Sequence, residues 1–142
     1  MEQGNKLLRA VRKNAEMGLG TIPEVLEVTG DPALRETLRR QLREYEDISG
    51  QAEQLLDRRG CDADDNSEMR DFMSGVMVKV KTLADRSASH IAEMMIQGST
   101  MGTIQIARHL HSCREADREA SDLANRLLET EENNIRQLKR YL

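Results

Sequence analysis

The chain has 142 residues, 38% hydrophobic and 32% charged, with a formal net charge of −4 and three aromatic side chains, Tyr45, Phe72 and Tyr141. That length suits one domain around one continuous core. The charge lacks the basic surplus of a general nucleic-acid binder, the apolar stretch Ile91 to Ile96 is far too short to span a bilayer, and two distant cysteines make no disulfide framework.

With so few rings, the core has to be aliphatic, its irregular gaps filled from eight methionines. No apolar leader opens the chain, so a cytoplasmic location without membrane insertion is expected. In the first segment Leu8, Val11, Ala15, Gly18, Ile22 and Val25 recur at steps of three and four. The spacing predicts a helix from about residue 3 to 28 with one apolar face. Gly18, Gly20 and Pro23 disturb its second half, and Thr21-Ile22-Pro23-Glu24 reads as a capping box that restarts it after a kink. Thr29-Gly30-Asp31-Pro32 then stops one helix and starts the next, with Gly30 as the left-handed cap, Asp31 as the N-cap and Pro32 in the first turn. The second helix, about residues 32–59, follows through Leu34, Leu38, Leu42, Tyr45, Ile48, Ala52 and Leu55 to a stop at Gly60. So short a link makes the two helices antiparallel neighbours.

A polar loop from Cys61 to Asn66 leads to a third segment, about residues 67–84, capped by Ser67. Helical signals continue to Ser112, and a single helix of that span would be roughly 70 Å long, against roughly 40 Å for the first two. A break is therefore expected at Asp85-Arg86-Ser87-Ala88-Ser89. The fourth helix then covers about residues 87–111 and the fifth about 114–141. Four long segments and one shorter connector predict an all-α domain spanning residues 1–142. Two helical hairpins joined by a long crossover resemble the ferritin-like superfamily, and Gly20-Thr21-Ile22 and Gly102-Thr103-Ile104 echo each other in the two halves. The chain is most similar in plan to small bacterial members of that superfamily. The resemblance implies an antiparallel four-helix bundle with an additional crossover helix.

The superfamily's di-iron centre needs a Glu on one helix and Glu-x-x-His on the next in each hairpin. Glu44, Glu46 and Asp47 on the second helix and Glu115, Glu119, Glu129, Glu131 and Glu132 on the last have no histidine with them. No di-iron ligand is therefore carried over, and no cofactor is expected. Glu131 nonetheless shares a face with Leu127 and Ile135. It either reaches water at the bundle edge, the ordinary outcome, or is buried and accepts a hydrogen bond from Tyr45, with Gln41 nearby. Gly98 and Gly102, one turn apart, predict close approach to Gly18 and Gly20. The competing use of those glycines is an apolar pocket with Met94, Met95 and Met101.

Cys61, His109, His111 and Cys113 gather at one end and are the candidate zinc set, weakened because the two histidines point about 200° apart on a regular helix. Asp62, Asp64, Asp65, Asn66 and Glu68 have a calcium-loop flavour but lack the glycine and the distant glutamate of an EF-hand. Arg35, Arg39, Arg40 and Arg43 form a basic stripe, with Glu36 placed to pair with Arg40. His90 reads as a surface or capping residue. No phosphate loop, nucleophile elbow or Cys-x-x-Cys occurs. The expected role is a non-catalytic structural or protein-interaction module, a homodimer or the partner of another helical protein. Two further readings stay open: a metal-binding or oxidoreductase relative with a degenerate centre at Glu131, Tyr45 and Glu44, and a carrier of a small apolar ligand in the Met and Gly pocket.

Overall fold

The computed structural model describes residues 1–61 and 66–142. Within them the chain is helical, without a strand: α1 Glu2–Val28, α2 Pro32–Arg58, α3 Ser67–Lys81, α4 Ala88–Ser112 and α5 Arg118–Lys139.

Side-chain chemistry sets most of the ends. Asp31 accepts a hydrogen bond from the Leu34 amide at 2.9 Å, ahead of Pro32, and starts α2. Gly60 has φ 67°, and the amides of Gly60 and Cys61 donate to the carbonyls of Asp57 and Leu56. This closes α2 as a Schellman turn, which only glycine enters without strain. Ser87 accepts from the His90 amide at 3.2 Å and starts α4 inside the expected break.

Four expectations need correction. α1 passes through Gly18, Gly20 and Pro23 without interruption, so Thr21 starts no new helix. Pro23 cannot donate to the previous turn, but Ile22 and Val25 beside it are buried, and that packing holds the helix together. Gly30 is not left-handed. The end of α1 is closed instead by the Thr29 hydroxyl, which donates to the Val25 carbonyl at 2.7 Å, and by Arg35, which donates to the carbonyls of Leu26 and Thr29. Asn66, not Ser67, precedes the first turn of α3, and it makes no side-chain cap bond. Finally, α5 begins at Arg118 because Asp117 is its N-cap, accepting from the Ala120 amide at 3.3 Å; residues 114–116 are outside the helix.

Contacts along the helices fix their directions. Gly4 lies against Arg59 and Gly18 against Tyr45, while Arg35 reaches back to Leu26, so α1 and α2 are antiparallel. Thr37 meets Tyr141 at 2.8 Å, Gln41 meets Gln137 at 3.4 Å, and Asp47 pairs with Arg126 at 2.5 Å, so α2 and α5 are antiparallel as well. α4 and α5 form a second hairpin, with Gly102 against Glu131. α3 runs beside α1 in the same direction, Glu68 pairing with Lys13 and Met73 lying on Gly20. Its extensive packing is with α1 alone, and Val80 is its single buried side chain. At one end Arg59 donates to both carboxylate oxygens of Asp117, at 2.9 and 2.6 Å, and so links the end of the first hairpin to the turn of the second.

The interior between the two hairpins is aliphatic, as the shortage of rings requires. Leu7, Leu8 and Val11 of α1, Leu34, Leu38 and Ile48 of α2, Ile91 of α4 and Leu127 and Leu138 of α5 are fully enclosed.

Candidate functional site

An apolar stripe places side chains inward whatever their chemistry, and on α5 the stripe Leu127, Glu131, Asn134, Leu138 includes two polar members. Glu131 is 3% exposed and Asn134 fully buried. The bundle edge is therefore not where Glu131 lies. The Tyr45 hydroxyl donates to its Oε1 atom, and Asn134 Nδ2 donates to the same hydroxyl at 3.1 Å. Among the described residues no donor reaches Oε2 of Glu131. That atom lies against Gly102, where an added Cβ would run into it. Asn14 of α1 donates to the Gly102 carbonyl at 3.2 Å. The floor of the site is thus drawn from all four long helices.

Burial dominates the electrostatics. It raises the Glu131 carboxyl to a pKa of about 7, against the pull of the Tyr45 hydrogen bond, which favours the ionised form. Burial also raises the Tyr45 phenol far above its ordinary range, and the neighbouring Glu131 charge adds to that. Tyr45 therefore stays protonated as a donor.

Above this floor opens a crevice of about 430 Å³ between α3 and α4. Met17, Gly18, Thr21 and Val25 of α1 form its back. Phe72, Val76, Lys79 and Val80 form the α3 wall, and Met94, Met95, Gly98, Ser99, Met101 and Gly102 the α4 wall. Among the described residues Glu131 and Lys79 are the only charged ones that line it, and Lys79 is exposed. The size and mostly apolar lining are those of a small-molecule site.

The structure distributes the anticipated residues unevenly. Tyr45 and Glu131 come together; Gln41 does not join them, donating instead to Gln137 at 3.4 Å with its own Oε1 unpartnered. The Cβ positions of Gly98 and Gly102 do not meet Gly18 or Gly20. Gly18 is covered by the Tyr45 ring, where a Cβ would stand 2.6 Å from Cδ2, and Gly20 by Met73. Gly98 has open space before it and lines the crevice with Gly18, Gly102, Met94, Met95 and Met101. Gly20 does not line it. Asn14, Ser99 and Asn134 were missed. For Asn134 a signal existed: steps of four, three and four from Leu127 through Glu131 to Leu138 put it on the inward face.

Among the described residues no three His, Cys, Asp or Glu side chains group as a metal site. Cys61, His109, His111 and Cys113 accordingly do not assemble: His109 Nδ1 contacts the Gln105 carbonyl at 2.9 Å, His111 is exposed, and Cys113 is buried at the end of α4. Glu44 does not line the crevice; its carboxyl is raised by partial burial, opposed by Arg126 and Arg40. The calcium-loop residues Asp62, Asp64 and Asp65 lie outside the described residues, and Glu68 pairs with Lys13. In the basic stripe Arg40 donates to Thr37 at 3.3 Å, while Glu36 faces Arg39 and Arg43. His90 follows the N-cap of α4, its ring 3.8 Å from Glu93. No described helix is long and apolar enough to cross a membrane. No protein-family model, curated protein or solved structure matches the chain.

Proposed function

We propose that this protein is a ferritin-like four-helix bundle, with α3 as the crossover, that carries a small, mainly apolar ligand without catalysing a reaction on it. Two antiparallel hairpins joined by a helix that runs beside α1 from Lys13 onward, in the same direction, support the fold reading. The sequence alone favoured a solid scaffold, whose interior should be filled. The observation that tips the balance is the crevice of about 430 Å³ beside Gly98 and Gly102, walled by methionines and aliphatic side chains. Methionine is unbranched and polarisable, so such walls adapt to varied apolar shapes. An apolar occupant gains from leaving water in proportion to the area it buries.

The test is titration with a neutral apolar fluorophore, N-phenyl-1-naphthylamine. Saturable binding at one site per chain is expected, and loss of that binding in Gly98→Leu, whose side chain extends into the crevice. No saturable binding, or equal binding by the variant, overturns the reading. The scaffold reading keeps one observation in its favour: Met77, Val78, Met101 and Ile104 leave large apolar side chains exposed on α3 and α4, as a helical protein partner or a second copy would require.

A further inference from the structure

The carrier reading leaves the ligand's polar end open, and the floor of the crevice bears on it. Among the described residues Glu131 is the one acid that lines the cavity. Its Oε1 atom is engaged by Tyr45, whereas Oε2 has no donor among the described residues. Among the described residues the groups around it offer no balancing cation. α1 presents Asn14 and Gly18, α2 presents Tyr45, α4 presents Ser99 and Gly102, and α5 itself presents Asn134. The only titratable group among these is the Tyr45 phenol, which stays neutral. From α3 the single charged neighbour along the cavity wall is Lys79, which is exposed. A buried acid without a cation is an incomplete pair: it stays protonated or waits for a positive charge to arrive.

We propose that the crevice selects a small apolar amine, its ammonium group donating to Oε2 of Glu131 while its hydrocarbon body lies between α3 and α4. This rests on the carrier reading and names its ligand class. The walls suit such a molecule. Methionine sulfur is soft and polarisable, and the rings of Tyr45 and Phe72 line the same cavity, where aromatic faces attract cations. A carboxylate ligand is disfavoured, because its head would either face Glu131 or stay at Lys79. A neutral alcohol gains the apolar walls but not the charge pair. Below about pH 7 an incoming ammonium ion also has to displace the proton held by Glu131. Binding there releases a proton to solvent, and affinity strengthens as pH rises through that value.

Hexylamine, hexanol and hexanoate share one hydrocarbon body and differ only in the head, so calorimetric titration of all three into the full chain separates the contributions. At about pH 8 hexylamine should bind at least tenfold more tightly than hexanol, the ratio that one charge-assisted hydrogen bond supplies. Glu131→Gln should abolish that preference and retain hexanol binding. On the wild-type chain at about pH 6, titration in two buffers of different ionisation enthalpy should show a proton released with hexylamine and none with hexanol. Equal affinity for amine and alcohol, an amine preference that survives in Glu131→Gln, tightest binding by hexanoate, or amine binding without proton release each overturns the proposal. If hexanol binds and the amine gains nothing, the carrier reading stands and the amine reading fails. If none of the three binds, both fail.

Discussion

Gly98 and Gly102 are one turn apart on α4 and face different surroundings. Gly102 has no room for a side chain, because Oε2 of Glu131 occupies the place of its Cβ and Asn14 lies 3.3 Å from it. Gly98 has nothing within 4 Å of that place. Glycine in a helix interior costs about 1 kcal/mol relative to alanine. Gly98→Ala should therefore stabilise the fold by about 0.5–1 kcal/mol in urea denaturation; a loss of stability would show that position 98 is enclosed after all. Glu131 makes a second prediction at this scale. An unfolded chain gives up this proton near the ordinary 4.5, the folded one near 7. Between these values the folded state holds a proton that the unfolded state has released. The contribution of this group is therefore complete below 4.5, declines as pH rises and is exhausted above 7. The stability of wild type relative to Glu131→Gln should fall by up to about 3 kcal/mol from acid to mildly alkaline pH. A constant difference across that range would contradict the burial of the carboxyl. Asp117 acts in the opposite sense, since Arg59 holds its carboxyl below the usual range and that stabilisation is lost on acidification. The comparison with Glu131→Gln cancels this term.

Among the elements α3 stands apart. It rests on α1, buries Val80 alone and lacks a side-chain cap at its start. Helices held by few buried side chains open locally at low cost. Amide hydrogen exchange should accordingly be fastest in Ser67–Lys81 of the five helices; protection equal to that of α2 or α5 would refute the loose attachment. Element existence was legible because each signal had one physical meaning. Asp31 and Pro32 start a helix, Gly60 ends one, and Ser87 lies where a helix of roughly 70 Å could not continue. Where several residues could serve, sequence reasoning went astray. Arg114 to Ala116 tolerate a helix, so nothing local showed that Asp117 would be the cap. On α4 no residue from Met94 to Ala107 is charged. Such a helix does not announce its inner side, and Gly98 was turned the wrong way. On α5 the stripe marked Glu131 as facing inward but carried no measure of depth. Depth came from Tyr45, Gly102 and Asn14, three residues distant in sequence.

The molecule as a whole is two hairpins held unequally. At one end Arg59 and Asp117 tie them together, with Asn5 also accepting from Arg59 at 3.2 Å, and Gly4 is a glycine because the Asp117 carboxylate occupies the place of its Cβ. Along the length aliphatic packing joins α1, α2 and α5, while the crevice separates α3 from α4. A wall leaning on one neighbour is hinged rather than fixed, so the space it bounds has an elastic width. Rigid cages impose a cutoff: occupants gain affinity with each added carbon until one no longer fits, then lose it abruptly. Here lengthening a homologous series of amines from butyl to octyl should give steady gains, up to about 0.8 kcal/mol for each methylene that is buried, with no sharp ceiling. A sudden drop partway through the series would mean that α3 is clamped in place.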